Sequence, residues 1–146
     1  MYRRILVTLE HTSADEAILQ HVEQLQALCH SEIILLHVAD GWAARQFDTL
    51  QLKESEEMRS DREYLEAVAQ RLRARDITTN FFLATGDPAE EIIKFVRVHD
   101  CDLLAMSTHG HRLLEDIIYG STATKVRHHV DIPVLLVKVP RGGKGK

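Results

Sequence analysis

The fold is decided by residues 33–38, Ile33-Ile34-Leu35-Leu36-His37-Val38, together with three similar short runs of mostly apolar residues. The three similar runs are residues 5–9, 103–106 and 134–137. All four are continuous rather than alternating, which is the pattern of strands that are buried on both faces of a parallel sheet. A fifth run, at residues 78–84, is more polar and predicts an edge strand.

Helical patterns lie between the apolar runs. The first is predicted to open at Ser13, where Glu16 would complete a capping box, and the second covers about residues 50–75. Asp87 is placed to cap the third, and the fourth covers about residues 113–130. Strands that alternate with helices predict an α/β fold with a five-stranded parallel sheet and helices on both faces.

Length and composition limit the classes of protein that need to be considered. The chain has 146 residues, of which 45% are hydrophobic and 27% charged, so we expect a single globular domain over residues 1–139. Residues 140–146 are predicted to form a disordered basic tail. The sequence contains no apolar run of 18 residues and no recognisable signal peptide, so no membrane insertion is expected.

Charge and cysteine usage add two further expectations. Removing the tail cations Arg141, Lys144 and Lys146 from the formal net charge of −4 leaves −7 for the body, which argues against a nucleic-acid partner. The two cysteines, Cys29 and Cys101, lie far apart and outside any C-x-x-C motif, so we expect a reducing, cytoplasmic location. We expect Cys29 to be a core residue and Cys101 to be partly exposed, with no catalytic thiol.

Polar residues follow several of the predicted strands. In an open parallel sheet, ligands bind beyond the carboxyl ends of the strands, where the strand order reverses. Glu10 follows the first strand, and residues 107–112 follow the fourth. Gly110 is explained by a strand-to-helix turn or by a close backbone approach to phosphate, and both remain open. Gly120 falls inside a helical pattern, where it costs about 1 kcal/mol relative to alanine, so a helix break or a nearby ligand is expected.

A family resemblance rests on these same residues. Met106-Ser107-Thr108-His109-Gly110 is followed after nine residues by Gly120-Ser121-Thr122 and then by Ile132-Pro133-Val134. Together with Arg4-Ile5-Leu6-Val7 and residues 86–92, this pattern resembles the universal stress protein family over residues 2–138. Two positions depart from the family motif: Ser107 replaces its first glycine, and Glu10 replaces the usual aspartate of the first strand end.

The resemblance implies a fold, a ligand and a set of site residues. The fold is a Rossmann-like sheet of order 3-2-1-4-5, related to the adenine nucleotide alpha hydrolases. The ligand is ATP, AMP or another adenine nucleotide, bound between the first and fourth strands. Mg²⁺ is expected to accompany it for a separate reason, because the acidic body of the chain does not attract a polyanion. Glu10, Val38 and Ser107 would face the nucleoside, and the remaining residues would lie near the phosphates. The expected site residues are Glu10, Val38, Ser107, His109, Gly110, His111, Arg112, Gly120, Ser121 and Thr122.

The implied function is that of a stress-response sensor or adaptor. It would act as a homodimer that pairs the last strand, Val134 to Val137, and it would contact an unidentified protein partner. A nucleotide-independent interaction protein is the alternative that Ser107 and Glu10 favour. A slow ATP hydrolase, with Glu10 or a histidine orienting water, is a third reading, and the absence of a P-loop argues against efficient hydrolysis.

The nine histidines are not expected to form a metal site. If the fourth helix is regular, His109 and His111 lie roughly 20 Å from His128 and His129, which is too far to share an ion. His37 lies within a buried strand and is predicted to be a hydrogen-bonded core histidine.

Overall fold

In a computed structural model, the chain is described over residues 1–39, 56–108 and 121–139. Parts of the second and fourth predicted helices, at residues 50–55 and 113–120, lie outside the described residues, as does the predicted tail at 140–146. The described elements follow the predicted alternation of strands and helices. They are β1 (Arg4–Thr8), α1 (Asp15–Cys29), β2 (Glu32–Ala39), α2 (Glu56–Arg73), β3 (Thr79–Thr85), α3 (Pro88–Val98), β4 (Leu103–Ser107), α4 (Ser121–His129) and β5 (Val134–Val137).

The five described strands form one sheet whose neighbouring pairs are all parallel. Its order is β3-β2-β1-β4-β5, which confirms the order that the family resemblance implies. In the central strand, Leu6 lies opposite Ile34 of β2 and Leu104 of β4. The predicted edge strand, β3, lies at one edge of this sheet, and β5 lies at the other.

Helices cover both faces of the sheet and create a separate hydrophobic core on each. Successive residues of a strand point to opposite faces, so each apolar run supplies side chains to both cores. On one face, α1 and α2 pack against the strands through Ile5, Val7, Ile33, Leu35, Ile18, Val22, Leu65 and Leu72. On the other face, α3 and α4 pack through Leu6, Ile34, Leu36, Leu104, Ala89, Ile92, Val96 and Val126.

The start of α1 corrects one sequence prediction. The capping box of Ser13 and Glu16 is wrong, because α1 begins at Asp15 with Ala14 in the N-cap position and no side-chain cap. The hydroxyl of Thr12 accepts the N–H of Ala14 at 3.2 Å in the turn that precedes the helix. By contrast, Asp87 caps α3 as predicted, and its carboxylate accepts the N–H of Glu90 at 2.9 Å.

The amino end of the sheet is held by Asp102, which directly precedes β4. Its carboxylate accepts the backbone N–H groups of Arg3 and Arg4, each at 2.9 Å. Partial burial opposes ionisation, but these two hydrogen bonds and the nearby Arg3 charge outweigh it, so the pKa of Asp102 is lowered. A carboxylate at this position therefore ties the start of the chain to β4.

The cysteine predictions need a correction. Cys101 is buried rather than partly exposed, and Cys29 is half-buried rather than a core residue. Cys29 is the last residue of α1. Burial raises the pKa of the Cys101 thiol to about 11, so Cys101 is a neutral thiol near pH 7.

Candidate functional site

The strand order reverses between β1 and β4. The chain runs outward from β1 to β2 and β3, then returns to the other side of β1 to form β4 and β5. Because β1 and β4 are parallel neighbours, their carboxyl ends lie at the same edge of the sheet. This is the position at which open α/β sheets bind ligands, and it lies between the strands that precede Glu10 and contain Ser107.

Ser107 is the last residue of β4 and lies opposite Val137 of β5. Its residue is only 8% exposed, and its Oγ has no hydrogen-bond partner among the described residues. The next residue along the chain extends the pairing with β5, since the N–H of Thr108 donates to the carbonyl of Val137 at 2.9 Å. A buried hydroxyl without a partner destabilises the folded protein by roughly 1–3 kcal/mol. A ligand that forms a hydrogen bond with the Ser107 hydroxyl at this edge would remove that cost.

Glu10 follows β1 and is fixed through its backbone. Its N–H donates to Oδ1 of Asp15 at 2.9 Å, while the residue itself remains exposed. Neighbouring protein nevertheless removes part of the water around the carboxyl group, which raises the pKa of Glu10. The charge of Asp15 raises that pKa further, and His37 acts in the opposite direction.

The other predicted site residues divide into two groups. Val38 is half-buried near the end of β2, where it packs against the core beneath α3 and α4. Thr122 is half-buried in the first turn of α4. His109, Gly110, His111, Arg112 and Gly120 lie outside the described residues, and for Ser121 the description covers only its backbone at the start of α4.

A buried carboxylate organises the loop between β1 and α1. Asp15 is 1% exposed, and its two oxygens accept three hydrogen bonds. The donors are the N–H of Glu10 at 2.9 Å, the N–H of His11 at 2.8 Å and the hydroxyl of Tyr64 at 2.7 Å. These bonds connect the end of β1 to α1 and α2, so the backbone around Glu10 has a defined position.

A second carboxylate, on α2, contacts two histidines. Oδ1 of Asp61 lies 2.8 Å from Nδ1 of His11, and its Oδ2 lies 3.4 Å from Nε2 of His37. The other ring nitrogen of His37, Nδ1, lies 2.7 Å from the carbonyl oxygen of Leu9, which confirms that His37 is hydrogen-bonded. The ring of His11 also stacks on Tyr64, with 4.2 Å between ring centroids.

Sequence reasoning did not identify Asp15, Asp61 or Tyr64. One signal was available, because Asp61 lies three residues after Met58 and four before Leu65, on the apolar stripe of α2. A carboxylate on such a stripe is buried, and buried carboxylates need partners. The many charges of the surrounding helix obscured this position.

Similarity to known proteins agrees with this architecture. The sequence profile that describes the universal stress protein family matches residues 1–138. The chain belongs to that family. Two relatives of this universal stress protein are archaeal. The universal stress protein of Methanothermobacter thermautotrophicus is 31% identical, with 94% of this chain and 97% of the relative covered. Universal stress protein MJ0577 of Methanocaldococcus jannaschii is 28% identical, with coverages of 94% and 96%.

Solved structures of universal stress proteins share the fold. A structure of MJ0577 superimposes with a TM-score of 0.83 at 26% identity and covers 97% of this chain and 99% of that one. The Archaeoglobus fulgidus protein, solved in complex with dAMP, gives a TM-score of 0.69 at 18% identity, with coverages of 94% and 98%. A universal stress protein in complex with cAMP gives 0.67 at 15% identity, with coverages of 95% and 98%.

Two further observations concern metal sites and membrane spans in the described parts of this universal stress protein. Within residues 1–39, 56–108 and 121–139, no group of three His, Cys, Asp or Glu side chains is arranged to hold a metal ion. None of the helices in the same ranges has the length and hydropathy needed to cross a bilayer.

Proposed function

We propose that this universal stress protein binds ATP or a related adenine nucleotide, with Mg²⁺, at the carboxyl edge of β1 and β4. The observation that carries the proposal is the hydroxyl of Ser107, which is buried and has no hydrogen-bond partner among the described residues, at the point where the strand order reverses. Proteins of the same fold solved with dAMP and cAMP support an adenine nucleotide as the ligand class.

Each site residue has a role in this proposal. The hydroxyl of Ser107 donates to or accepts from the ribose, Glu10 faces the adenine or ribose, and Val38 lines the adenine pocket. The phosphates lie toward the start of α4, where backbone N–H groups favour an anion. Their ligands would be Gly110, Gly120, Ser121 and Thr122, with His109, His111 and Arg112 nearby.

The protein would act as a sensor or adaptor rather than as a metabolic catalyst. The nucleotide would change the surface that a partner protein recognises, and the site would support at most slow ATP hydrolysis. Homodimerisation would use the outer edge of β5, since Leu136 is 38% exposed on a strand that pairs only with β4 among the described strands. Two unpaired cysteines support a cytoplasmic location.

Calorimetry with ATP, AMP and cAMP, each with and without Mg²⁺, tests the ligand proposal. Ser107→Ala removes the free hydroxyl and should weaken nucleotide binding about fivefold, the effect of losing roughly one hydrogen bond. Its stability should not fall, because the hydroxyl makes no hydrogen bond within the described structure.

Ser31→Ala is the matched control. Ser31 is also buried, but it lies before β2 at the amino edge of the sheet and donates to the carbonyl of Tyr2 at 2.6 Å. This variant should lose stability and keep its nucleotide affinity. Absence of binding by all three nucleotides would refute the ligand proposal and favour the nucleotide-independent adaptor.

A separate experiment tests the dimer. Leu136→Arg places a charge on the outer strand and should shift the molar mass measured by light scattering from dimer to monomer. Lys138→Glu, which changes a charge just beyond the same strand, is the control for a general charge effect. A monomeric wild-type protein at micromolar concentration would refute pairing through β5.

A further inference from the structure

The edge strand β3 has a sequence that favours pairing with another strand. It pairs only with β2 among the described strands, so its outer edge has no strand partner there. Residues 79–85 contain two phenylalanines and a leucine but no charged residue, proline or glycine. Short segments of this composition pair with one another when they lie at the edge of a sheet. Residues 81–85 are all half-buried, so part of each is accessible to another chain.

The backbone groups of β3 alternate between its two sides. The carbonyl of Thr78 accepts the N–H of Ile33 at 2.9 Å, and therefore faces β2. At the other end, the N–H of Gly86 donates to the carbonyl of Ala39 at 3.3 Å and also faces β2. Since the direction alternates along a strand, the residues of odd number present their N–H and carbonyl groups to the outer edge. These outward residues are Thr79, Phe81, Leu83 and Thr85.

The side chain of Arg73 covers the first of the outward groups. Arg73 is the last residue of α2, and its guanidinium donates two hydrogen bonds to the carbonyl of Thr79, from Nε at 2.9 Å and from Nη2 at 2.7 Å. Because this carbonyl faces outward, the arginine lies across the outer edge of β3. Thr79 is only 3% exposed, whereas Arg73 is exposed, so the cation lies on the solvent side of the strand.

We propose that the outer edge of β3 can pair with β3 of a second copy of this chain, and that Arg73 prevents this pairing. A second copy fits because two identical uncharged strands meet without like-charge repulsion, and a two-fold axis makes an antiparallel edge complementary to itself. An axis through Phe82 places Thr79 of one copy opposite Thr85 of the other. In that arrangement each Arg73 occupies a carbonyl that the opposing strand needs.

Arrangements that avoid Arg73 pair fewer residues. Moving the two-fold axis from Phe82 to Leu83 leaves only residues 81–85 to pair, and Thr79 then lies outside the paired segment. Very short edge strands are one of the means by which proteins resist pairing with other chains. The guanidinium on Thr79 therefore blocks the longest pairing and leaves only a shorter one.

The proposal concerns assembly and does not depend on nucleotide binding. It adds a second edge to the homodimer that we propose through β5. A dimer joined through β5 has two outer β3 edges, one from each copy, so pairing of those edges would connect dimers into chains. If β5 does not pair, the same opening of β3 would convert monomers into dimers.

Arg73→Ala removes the guanidinium and should at least double the molar mass that light scattering measures at a fixed protein concentration. Arg75→Ala is the matched control, because it removes the same charge two residues later. Arg75 pairs with Glu23 of α1, so its loss should leave the molar mass at the wild-type value. An unchanged molar mass in Arg73→Ala, or an equal increase in both variants, would overturn the proposal.

A second variant separates edge pairing from aggregation of unfolded protein. Thr85→Lys, added to Arg73→Ala, places a cation at the position opposite Thr79 of the other copy and should return the molar mass to the wild-type value. A chain that aggregates because it unfolds would not be rescued by this charge. Circular dichroism of both proteins checks that they are folded. Large assemblies that persist in the double variant would overturn the proposal.

Combining Arg73→Ala with Leu136→Arg locates the new contact. If β5 forms the proposed dimer, Arg73→Ala alone should give larger assemblies, and the combined variant should be a dimer that β3 holds together. If the wild-type protein is a monomer, Arg73→Ala should be a dimer with or without the change at Leu136; the proposed β5 dimer then fails and the role of Arg73 stands. A monomeric combined variant would show that the new contact uses β5, which overturns the proposal.

Discussion

Asp15→Ala is the substitution from which we expect the largest loss of stability in the loop between β1 and α1. The buried carboxylate accepts from the N–H groups of Glu10 and His11 and from the hydroxyl of Tyr64. A hydrogen bond to a charged group contributes roughly 1.5–3 kcal/mol, but water can reach a donor that becomes exposed. If water replaces two of the three bonds, the remaining loss and the cavity give a destabilisation of about 2–4 kcal/mol.

The backbone at His11 adds to this expectation. Its φ is +63°, a left-handed conformation that is uncommon for residues other than glycine and costs roughly 1–2 kcal/mol. The bond from its N–H to Asp15 and the contact of its ring with Asp61 hold this conformation in the native structure. Removing the carboxylate of Asp15 therefore also removes one of the contacts that hold a strained residue in place.

Urea unfolding followed by circular dichroism at pH 7 and at a fixed protein concentration measures the effect. For a chain of this size, a loss of 2–4 kcal/mol corresponds to a decrease of roughly 6–12 °C in Tm. Glu16→Ala is the control, because that neighbouring carboxylate is 60% exposed and makes a surface ion pair with Arg71. Its removal should change the free energy of unfolding by at most about 1 kcal/mol.

A double-mutant cycle separates the hydrogen bond from general packing. Tyr64→Phe removes one donor and should destabilise the protein by about 1–2 kcal/mol. In the Asp15→Ala background the same change should have a much smaller effect, since its acceptor is already absent. The reasoning would be refuted if Asp15→Ala and Glu16→Ala were equally stable, or if Tyr64→Phe had the same effect in both backgrounds.

Three further predictions concern residues away from this loop. A thiol reagent at pH 8 should label Cys29 and leave Cys101 unmodified until the protein unfolds, because burial raises the pKa of Cys101 to about 11; equal labelling rates in the native protein would contradict this. Asp102→Asn should reduce the free energy of unfolding at pH 7. The loss should shrink in acid. Folding lowers the pKa of Asp102 below its ordinary value of 3.8, so the ionised carboxylate stabilises the native state above pH 3.8, and this stabilisation disappears as the pH falls through the pKa of the folded state. A loss of the same size at pH 2 would show that ionisation is not the cause. His30→Gly should raise the free energy of unfolding by about 0.5–1 kcal/mol, because His30 ends α1 at φ +56° and is exposed. His30→Ala, measured by the same urea titration, should give no such gain, and a gain from alanine equal to that from glycine would argue against backbone strain.

The sheet could be predicted from the sequence because most of its strands have a hydrophobic core on both faces. A run such as residues 33–38 is apolar at successive positions since helices cover both faces, and this pattern is local. The strand order is a non-local property, and it came from the family resemblance rather than from periodicity. Both are confirmed by the pairing of β1 with β2 and β4.

The first helix shows where local patterns fail. The Ser13 and Glu16 spacing fits a capping box, but the buried Asp15 binds the backbone of Glu10 and His11, and the helix begins at that residue. The same carboxylate accepts from the hydroxyl of Tyr64 on α2, and a tertiary contact of this kind overrides a local preference. Tyr64 lies 49 residues along the chain from Asp15, so no window of sequence around Ser13 contains this contact.

The sequence predicts where the candidate site lies, but it predicts only some of the residues that form it. Glu10 and Ser107 follow from the rule that ligands bind at the carboxyl ends of strands. Asp61 lies on α2, and its relation to His11 and His37 depends on how that helix packs over β1 and β2. Contacts between side chains that are 24 or 50 residues apart have no signature in a single sequence.

The carboxylate of Asp102 has a practical consequence for handling the protein. It binds the chain immediately after Met1 and Tyr2, at the amino edge of the sheet, while Ser107 lies at the other end of β4. Met1 is itself 90% exposed at the amino edge, so a tag, a fluorophore or a surface tether attached there extends away from the carboxyl edge. Immobilisation through this terminus would leave the opposite edge facing the solution, provided that the linker joins the chain before Arg3.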